Sequence, residues 1–129
     1  MTLGRWVLAL SCLPFLGIGV AFLGWPAAMA SRVGLSLADA LADNDVRAVY
    51  GGLQLGIGSF LASCATRPDW EVPGLVAALL AFGGLAAARV VSLAVVGAPG
   101  PLGLLLHAGE VAGVAASLFA LSRARSRQP

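Results

Sequence analysis

Charged side chains lie inside long apolar segments of this sequence, where the surroundings make a charge costly. Arg89 interrupts one such segment, and His107 and Glu110 stand three positions apart in the next. A guanidinium can hold an anionic or carbonyl group, whereas a carboxylate or an imidazole can accept a proton. These residue types predict either a site that binds a polar group or an ion pair that holds helices in register.

Polar residues of an earlier segment are predicted to lie at a similar depth in the membrane. Three of them follow i, i+3, i+7 spacing and so share one face of an α-helix: Arg47, Tyr50 and Gln54. At a rise of about 1.5 Å per residue, Gln54, Arg89 and Glu110 each lie about 12–13 Å from the outer end of their helix. We therefore predict one polar cluster, ligand-binding or structural, with these members: Arg47, Tyr50, Gln54, Arg89, His107 and Glu110.

Other kinds of chemistry have no pattern to support them. His107 and Glu110 supply two ligands, whereas a protein metal site commonly has three or four. Cys12 and Cys64 form no C-x-x-C pair. No glycine-rich loop follows a predicted strand, so there is no nucleotide-binding motif. We predict no metal and no cofactor, and the sequence leaves open whether the chain is an enzyme.

The composition indicates an apolar environment. Of 129 residues, 59% are hydrophobic and 11% are charged, whereas soluble domains carry about 25% charged residues. So few polar groups could not cover the surface of a protein of this size, and we predict that a lipid bilayer surrounds it. The net charge of +2 gives no reason to expect a nucleic-acid partner.

Four apolar segments are long enough to cross a bilayer, which needs about 20 residues. They predict an all-α fold, an integral membrane four-helix bundle that forms one domain over residues 1–129. The predicted spans are residues 6–25, 46–66, 74–97 and 101–121. The pattern Ser36-Leu37-Ala38-Asp39 resembles a capping box and predicts a short interfacial helix over 36–43. Residues 122–129 are predicted to form a basic cytoplasmic tail.

The placement of charges predicts the orientation. Arg5, Arg67 and the C-terminal arginines fall on one side of a four-span protein. The other side holds two arginines and three aspartates: Arg32, Arg47, Asp39, Asp43 and Asp45. Because arginine is enriched in cytoplasmic loops, both termini are predicted to be cytoplasmic, which puts Asn44 and Asp45 at the outer interface. All eight basic residues are Arg. Together with the many Ala and Gly residues, this is typical of a GC-rich bacterial genome and predicts a bacterial inner membrane.

Small residues four positions apart predict where helices approach each other closely. Three pairs have this spacing: Gly52 with Gly56, Gly84 with Ala88, and Gly109 with Gly113. We expect each pair to lie at a helix–helix contact, because a small side chain lets a neighbouring backbone come near.

Three stretches resemble the domain-of-unknown-function 4345 family: NDVRAVYGGLQLGIG at 44–58, GGLAAARVVSL at 83–93 and HAGE at 107–110. The resemblance covers most of the chain and implies a small bacterial membrane protein with four helices. It also implies a shared role for Asn44, Asp45, Arg47, Tyr50, Arg89 and Glu110. No activity is established for the family, so the resemblance implies none.

Two hypotheses of function follow from the size of the chain and its polar cluster. The first is a non-catalytic accessory or structural module that acts beside a membrane protein partner, because four short spans leave no soluble domain for chemistry. The alternative is a pocket in the outer leaflet that binds or transforms a lipophilic small molecule, such as a lipid or a quinone. Arg89 and Glu110 would then contact its polar head. A proton path is disfavoured, because the inner halves of the spans offer no relay groups.

Overall fold

The computed structural model describes residues 1–126, and this range is helical throughout apart from short connections. Its α-helices are α1 Leu3–Gly24, α2 Pro26–Arg32, α3 Ala40–Val46, α4 Leu53–Thr66, α5 Glu71–Val96 and α6 Pro101–Arg125. A π-helical segment, Arg47–Gly52, joins α3 to α4, and one turn of 3-10 helix, Pro68–Trp70, precedes α5. No β-strand occurs in residues 1–126.

Four helical stretches are long and apolar enough to cross a membrane: Leu3–Gly24, Ala40–Thr66, Pro68–Val96 and Pro101–Ala124. They confirm the predicted all-α fold with four spans and indicate a membrane protein. The second stretch begins at Ala40 rather than residue 46, because α3, the π-helical segment and α4 are continuous. Likewise α6 continues to Arg125, into the segment predicted to be a tail. The last residues of that predicted tail, 127–129, lie outside the described residues.

The short helix between the first two spans is α2, so its predicted position at 36–43 is wrong. Pro26 begins α2 at a helical position where its missing N–H costs nothing. Residues 35–38 are not helical. Asp39 then begins α3, since its Oδ1 accepts a hydrogen bond from the Ala42 N–H at 2.9 Å. The N-cap is therefore Asp39 and not Ser36, and the helix that it begins runs on into the second span.

Two arginines join α1 to the second span, one at each end of α1, so the two helical stretches run antiparallel. Arg5, in the first turn of α1, donates from Nε to the Ala65 carbonyl at 2.7 Å and from Nη2 to the Thr66 carbonyl at 3.1 Å. Arg47 donates from Nη1 to the Leu23 carbonyl, near the end of α1, at 2.6 Å. Because the last carbonyls of a helix have no partner within it, each arginine completes the hydrogen bonding of the other helix.

Three glycines let α1 approach the second span closely, and none of the three belongs to a predicted pair. A Cβ built on Gly58 would lie 2.8 Å from the Leu16 side chain and 3.0 Å from its backbone nitrogen. Gly19 and Gly51 are equally crowded, by Leu55 and Leu23 respectively. Three glycines of the predicted pairs do not lie at helix contacts, so the prediction is wrong for Gly52, Gly56 and Gly84. Nothing from another helix lies within 4 Å of their Cβ positions. Of the last pair, only Gly113 is in contact, against Phe82.

The buried core lies at the end of the protein that carries the chain termini. All four long helices contribute to it through the halves nearest the termini: Leu8, Cys12, Phe15, Leu61, Cys64, Ala65, Leu75, Ala78, Phe82, Ala120 and Leu121. The Phe15 and Phe82 rings lie 5.0 Å apart between centroids and join α1 to α5. Over the whole fold the most extensive contacts are within two pairs, α1 with α4 and α5 with α6. These two pairs form the two halves of the protein.

Gly58→Ala tests the close approach of α1 and α4. We expect it to lower the free energy of unfolding by about 1–3 kcal/mol, the usual cost of extra volume in a packed contact. The measurement is denaturation of the detergent-solubilised protein, followed by circular dichroism. Gly56→Ala is the matched control on the same helix, where the space around Cβ is open. Equal stability of the two variants would contradict the contact.

Candidate functional site

An ion pair joins α5 to α6 toward the end of the protein that lies away from the termini. Arg89 Nε lies 2.8 Å from each of the two carboxylate oxygens of Glu110. The Glu110 side chain is only 9% exposed, and that of Arg89 is 33% exposed. A charge-assisted pair of this geometry is stable in apolar surroundings, whereas either charge alone would be strongly destabilising there.

The turn between α5 and α6 brings these two residues to the same level. Gly97 adopts φ 99°, a left-handed conformation that glycine accepts readily, and its N–H bonds the Leu93 carbonyl at 3.2 Å. Pro101 begins α6 four residues later. The two helices thus return antiparallel from a short turn. Arg89 and Glu110 lie at similar distances from that turn along their helices, which is why they meet.

Arg89 keeps hydrogen-bond donors that the ion pair does not use. Its Nε makes both bonds to Glu110. Within residues 1–126, its terminal nitrogens Nη1 and Nη2 donate to no other group. A guanidinium has four N–H bonds on these two nitrogens, arranged to suit a carboxylate, a phosphate or a carbonyl. The Nε atom of Arg89 is therefore bonded to Glu110, and the N–H groups of Nη1 and Nη2 are left to bind another group.

Arg89 is one of the residues that line a large cavity between the two halves of the protein. The cavity has a volume of about 1140 Å³, and its walls come mainly from α1 on one side and α6 on the other. We call its lining residues 33–35 and 99–100, at the end away from the termini, the rim. Most lining residues are apolar, and the polar ones are few: Ser11, Arg32, Tyr50, Gln54, Arg89 and Glu110. Apolar walls with a few convergent polar groups are typical of small-molecule sites.

Tyr50 and Gln54 line this cavity, whereas Arg47 lies outside it. The segment between these residues is π-helical, and the Leu53 N–H bonds the Ala48 carbonyl five residues earlier. Arg47 and Tyr50 both contact the end of α1, but the Arg47 guanidinium has partners of its own. Arg47 instead donates from Nε to Asp43 at 2.7 Å, besides its bond to the end of α1. The Tyr50 ring stacks on Phe22 of α1, 5.1 Å away.

His107 is near the ion pair but does not face the cavity. Its Nδ1 lies 3.7 Å from a Glu110 oxygen, too far for a hydrogen bond, and this nitrogen is buried without a partner in the described range. Asn44 and Asp45 are exposed on α3 and take no part in the site. Of the predicted cluster, the structure places Tyr50, Gln54, Arg89 and Glu110 around one space. No group of three or more His, Cys, Asp or Glu side chains among residues 1–126 is arranged to hold a metal ion.

Arg32 is a cavity residue that the sequence analysis did not select. It ends α2 and lines the cavity near the rim. In the sequence Arg32 served only to predict the orientation in the membrane. Nothing in the local sequence shows where α2 docks, so its place beside the cavity was not predicted. Arg32 is exposed and forms no ion pair or side-chain hydrogen bond with residues 1–126. The cavity therefore has a second guanidinium besides that of Arg89.

A family model described as a domain of unknown function, DUF4345, matches residues 3–121. The chain belongs to the DUF4345 family. The match extends from the start of α1 into the last turns of α6, so it includes every residue that lines the cavity. Neither the curated proteins nor the solved structures contain a match to the chain. Membership of DUF4345 thus confirms the resemblance and assigns no activity.

A double-mutant cycle measures the ion pair. We expect Arg89→Met alone to lower the free energy of unfolding by about 3–5 kcal/mol, because it leaves the buried Glu110 carboxylate without a partner. The double variant Arg89→Met/Glu110→Met removes both charges and should recover much of that loss. The measurement is denaturant unfolding in a non-ionic detergent. Additive effects of the two single changes would show that the pair contributes no coupling energy.

Proposed function

We propose that this protein binds a lipophilic molecule with a polar head in the cavity between α1 and α6. The observation that carries the proposal is the position of Arg89. Its Nε is committed to Glu110, while its terminal N–H groups are unused within residues 1–126 and the residue lines a cavity of about 1140 Å³. An oriented donor in an apolar cavity favours a ligand that supplies an acceptor at one end and apolar surface over the rest.

Glu110 acts in this proposal as a positioning residue. Both of its oxygens accept from Arg89 Nε, so the guanidinium plane is fixed relative to α6. Tyr50 and Gln54 come from the facing half of the protein and supply a hydroxyl and an amide to the same space. A polar head could therefore be contacted from α4 and α5 at once, while the apolar walls of α1 and α6 take the remainder.

Binding without chemistry is the form of the proposal that the geometry favours. A catalytic base needs an accessible lone pair near the bound molecule. The Glu110 oxygens are already engaged by Arg89, and His107 is not among the cavity-lining residues. Transformation of the ligand is therefore not part of the proposal.

We place the protein in the bacterial inner membrane with both termini in the cytoplasm. The end that carries the core and the termini has Arg5, Arg67 and Arg123, and the opposite end has an aspartate-rich α3. Arginine is enriched on the cytoplasmic side of membrane proteins. In this orientation the rim of the cavity belongs to the outer leaflet, so its ligand would enter from that side of the lipid bilayer.

A second candidate is an accessory module that stabilises a membrane protein partner. The supporting observation is the burial of Glu110, whose pair with Arg89 also joins α5 to α6. If the pair only holds α5 and α6 in register, its loss should release a partner protein and leave small-molecule binding unchanged. The opposite pattern, in which the partners stay and the ligand is lost, favours the cavity.

A cavity-filling variant tests ligand binding without touching the polar residues. Gly109 lines the cavity, and the space around its Cβ position is open, so Gly109→Leu adds bulk at the cavity wall. We expect bacterial lipid and quinone extracts to raise the melting temperature of the wild type and to have no such effect on this variant. Bound lipids, identified by mass spectrometry of the purified proteins, should fall at least about tenfold, a loss of about 1.4 kcal/mol.

Gly17→Leu is the matched control, since Gly17 also has open space around Cβ and does not line the cavity. It should retain the stabilisation by extracts. The proposal is wrong if no extract stabilises the wild type, or if Gly109→Leu and Gly17→Leu respond alike.

A further inference from the structure

We propose that the ligand is an amphiphile with an acidic head group, a carboxylate or a phosphate, for which Arg32 and Arg89 supply the positive charge. The proposal names the ligand class of the cavity and rests on the proposed function. It excludes neutral lipids and quinones as the preferred ligands, because their heads carry no negative charge.

The charges around the cavity do not balance without a ligand. Its lining residues that are charged at neutral pH are Arg32, Arg89 and Glu110. Arg89 and Glu110 compensate each other at 2.8 Å. Arg32 has no carboxylate partner among residues 1–126. One positive charge therefore remains, beside an apolar space where a negative group would be strongly attracted.

Two of the three carboxylates that follow Arg32 in the chain have other partners, and the third, Asp45, forms no ion pair with Arg32. Asp39 accepts from the Ala42 N–H at the start of α3, and Asp43 is bonded to Arg47 at 2.7 Å. Both interactions hold the connection between α2 and the second span in place. Arg32 is thus kept at the rim of the cavity without an internal counter-ion, which is the arrangement expected of a group that meets a charge from outside.

Arg89 offers the matching geometry below the rim. A guanidinium fixed through Nε presents its terminal N–H groups as a planar fork, which matches two oxygens of a carboxylate or a phosphate. A hydroxyl or a single carbonyl would engage only part of that fork. The two arginines together therefore favour an acid over a neutral head of similar size.

The rest of the cavity suits a long apolar tail. On α1 its lining residues recur at helical spacing from Val7 to Phe22, a distance of about 22 Å along the helix axis. On α6 they run from Leu102 to Ala116, and they include Gly109, around whose Cβ position the space is open. An elongated apolar space of this kind accommodates an extended chain better than a compact molecule.

Head-group charge is tested with amphiphiles that share one alkyl chain. The probes are a fatty acid, the corresponding alkyl phosphate, the fatty alcohol and the alkyl trimethylammonium ion. Dissociation constants are measured by native mass spectrometry of the delipidated protein in neutral detergent. We expect at least one of the two acids to bind about tenfold or more tightly than the alcohol, a difference of about 1.4 kcal/mol. We expect the cation to bind most weakly.

Arg32→Gln should remove most of this preference while leaving the affinity for the alcohol unchanged, because it deletes a charge at the rim and no packed contact. Arg67→Gln is the matched control. Arg67 is an exposed arginine at the opposite end, where its guanidinium lies 4.8 Å from the Trp70 ring, and it should keep the preference. This control separates a site-specific charge from the overall positive charge of the protein.

The outcomes distinguish the two proposals. A preference for either acid supports the inference, and the better of the two identifies the acid as carboxylate or phosphate. Equal binding of acid and alcohol, or an undiminished preference in Arg32→Gln, overturns the acidic head while leaving the cavity as a lipid site. If none of the four probes binds, or if Gly109→Leu binds all of them as well as the wild type does, the proposed function itself fails.

Discussion

The antiparallel pair of α1 and α4 is the element on which the other parts of the structure depend. In an apolar medium every backbone carbonyl must find a donor, and the ends of helices are where donors are lacking. Arg5 meets this need at the end of α4 and Arg47 at the end of α1. Between these two points, crowded glycines such as Gly58 allow the helix backbones to approach. The pair is thus closed at both ends, and α5 and α6 pack against it from one side.

The cavity is the space that the two helix pairs leave between them. Its lining on α1 runs from Val7 to Phe22, so it lies beside the buried core as well as beyond it. Toward the end away from the termini, the pair of Arg89 with Glu110 joins α5 to α6. Arg89 also lines the cavity, and its terminal N–H groups are unused within residues 1–126. The two candidate functions share this ion pair and differ in what those N–H groups contact.

The second span illustrates how a partner distant in the chain changes a site. Regular α-helical spacing predicts that Arg47, Tyr50 and Gln54 share a face, and only Tyr50 and Gln54 line the cavity. Arg47 instead donates to the Leu23 carbonyl at the end of α1. This outcome depends on how α1 docks on the second span, so the spacing of side chains did not predict it.

The sequence by itself determined the class of the protein, its four long apolar helices and the meeting of Arg89 with Glu110. Those features follow from composition, from helix length and from equal distances to one short turn, all of which are local properties. Only the tertiary structure decided the position of the short helix α2, the inclusion of Arg32 in the cavity, and the glycines at which helices touch. These depend on how helices dock, which is set by side-chain packing and by hydrogen bonds between residues far apart in the chain, such as Arg5 with Ala65 and Thr66. The cavity belongs to this second group, because it is the space that four packed helices leave between them.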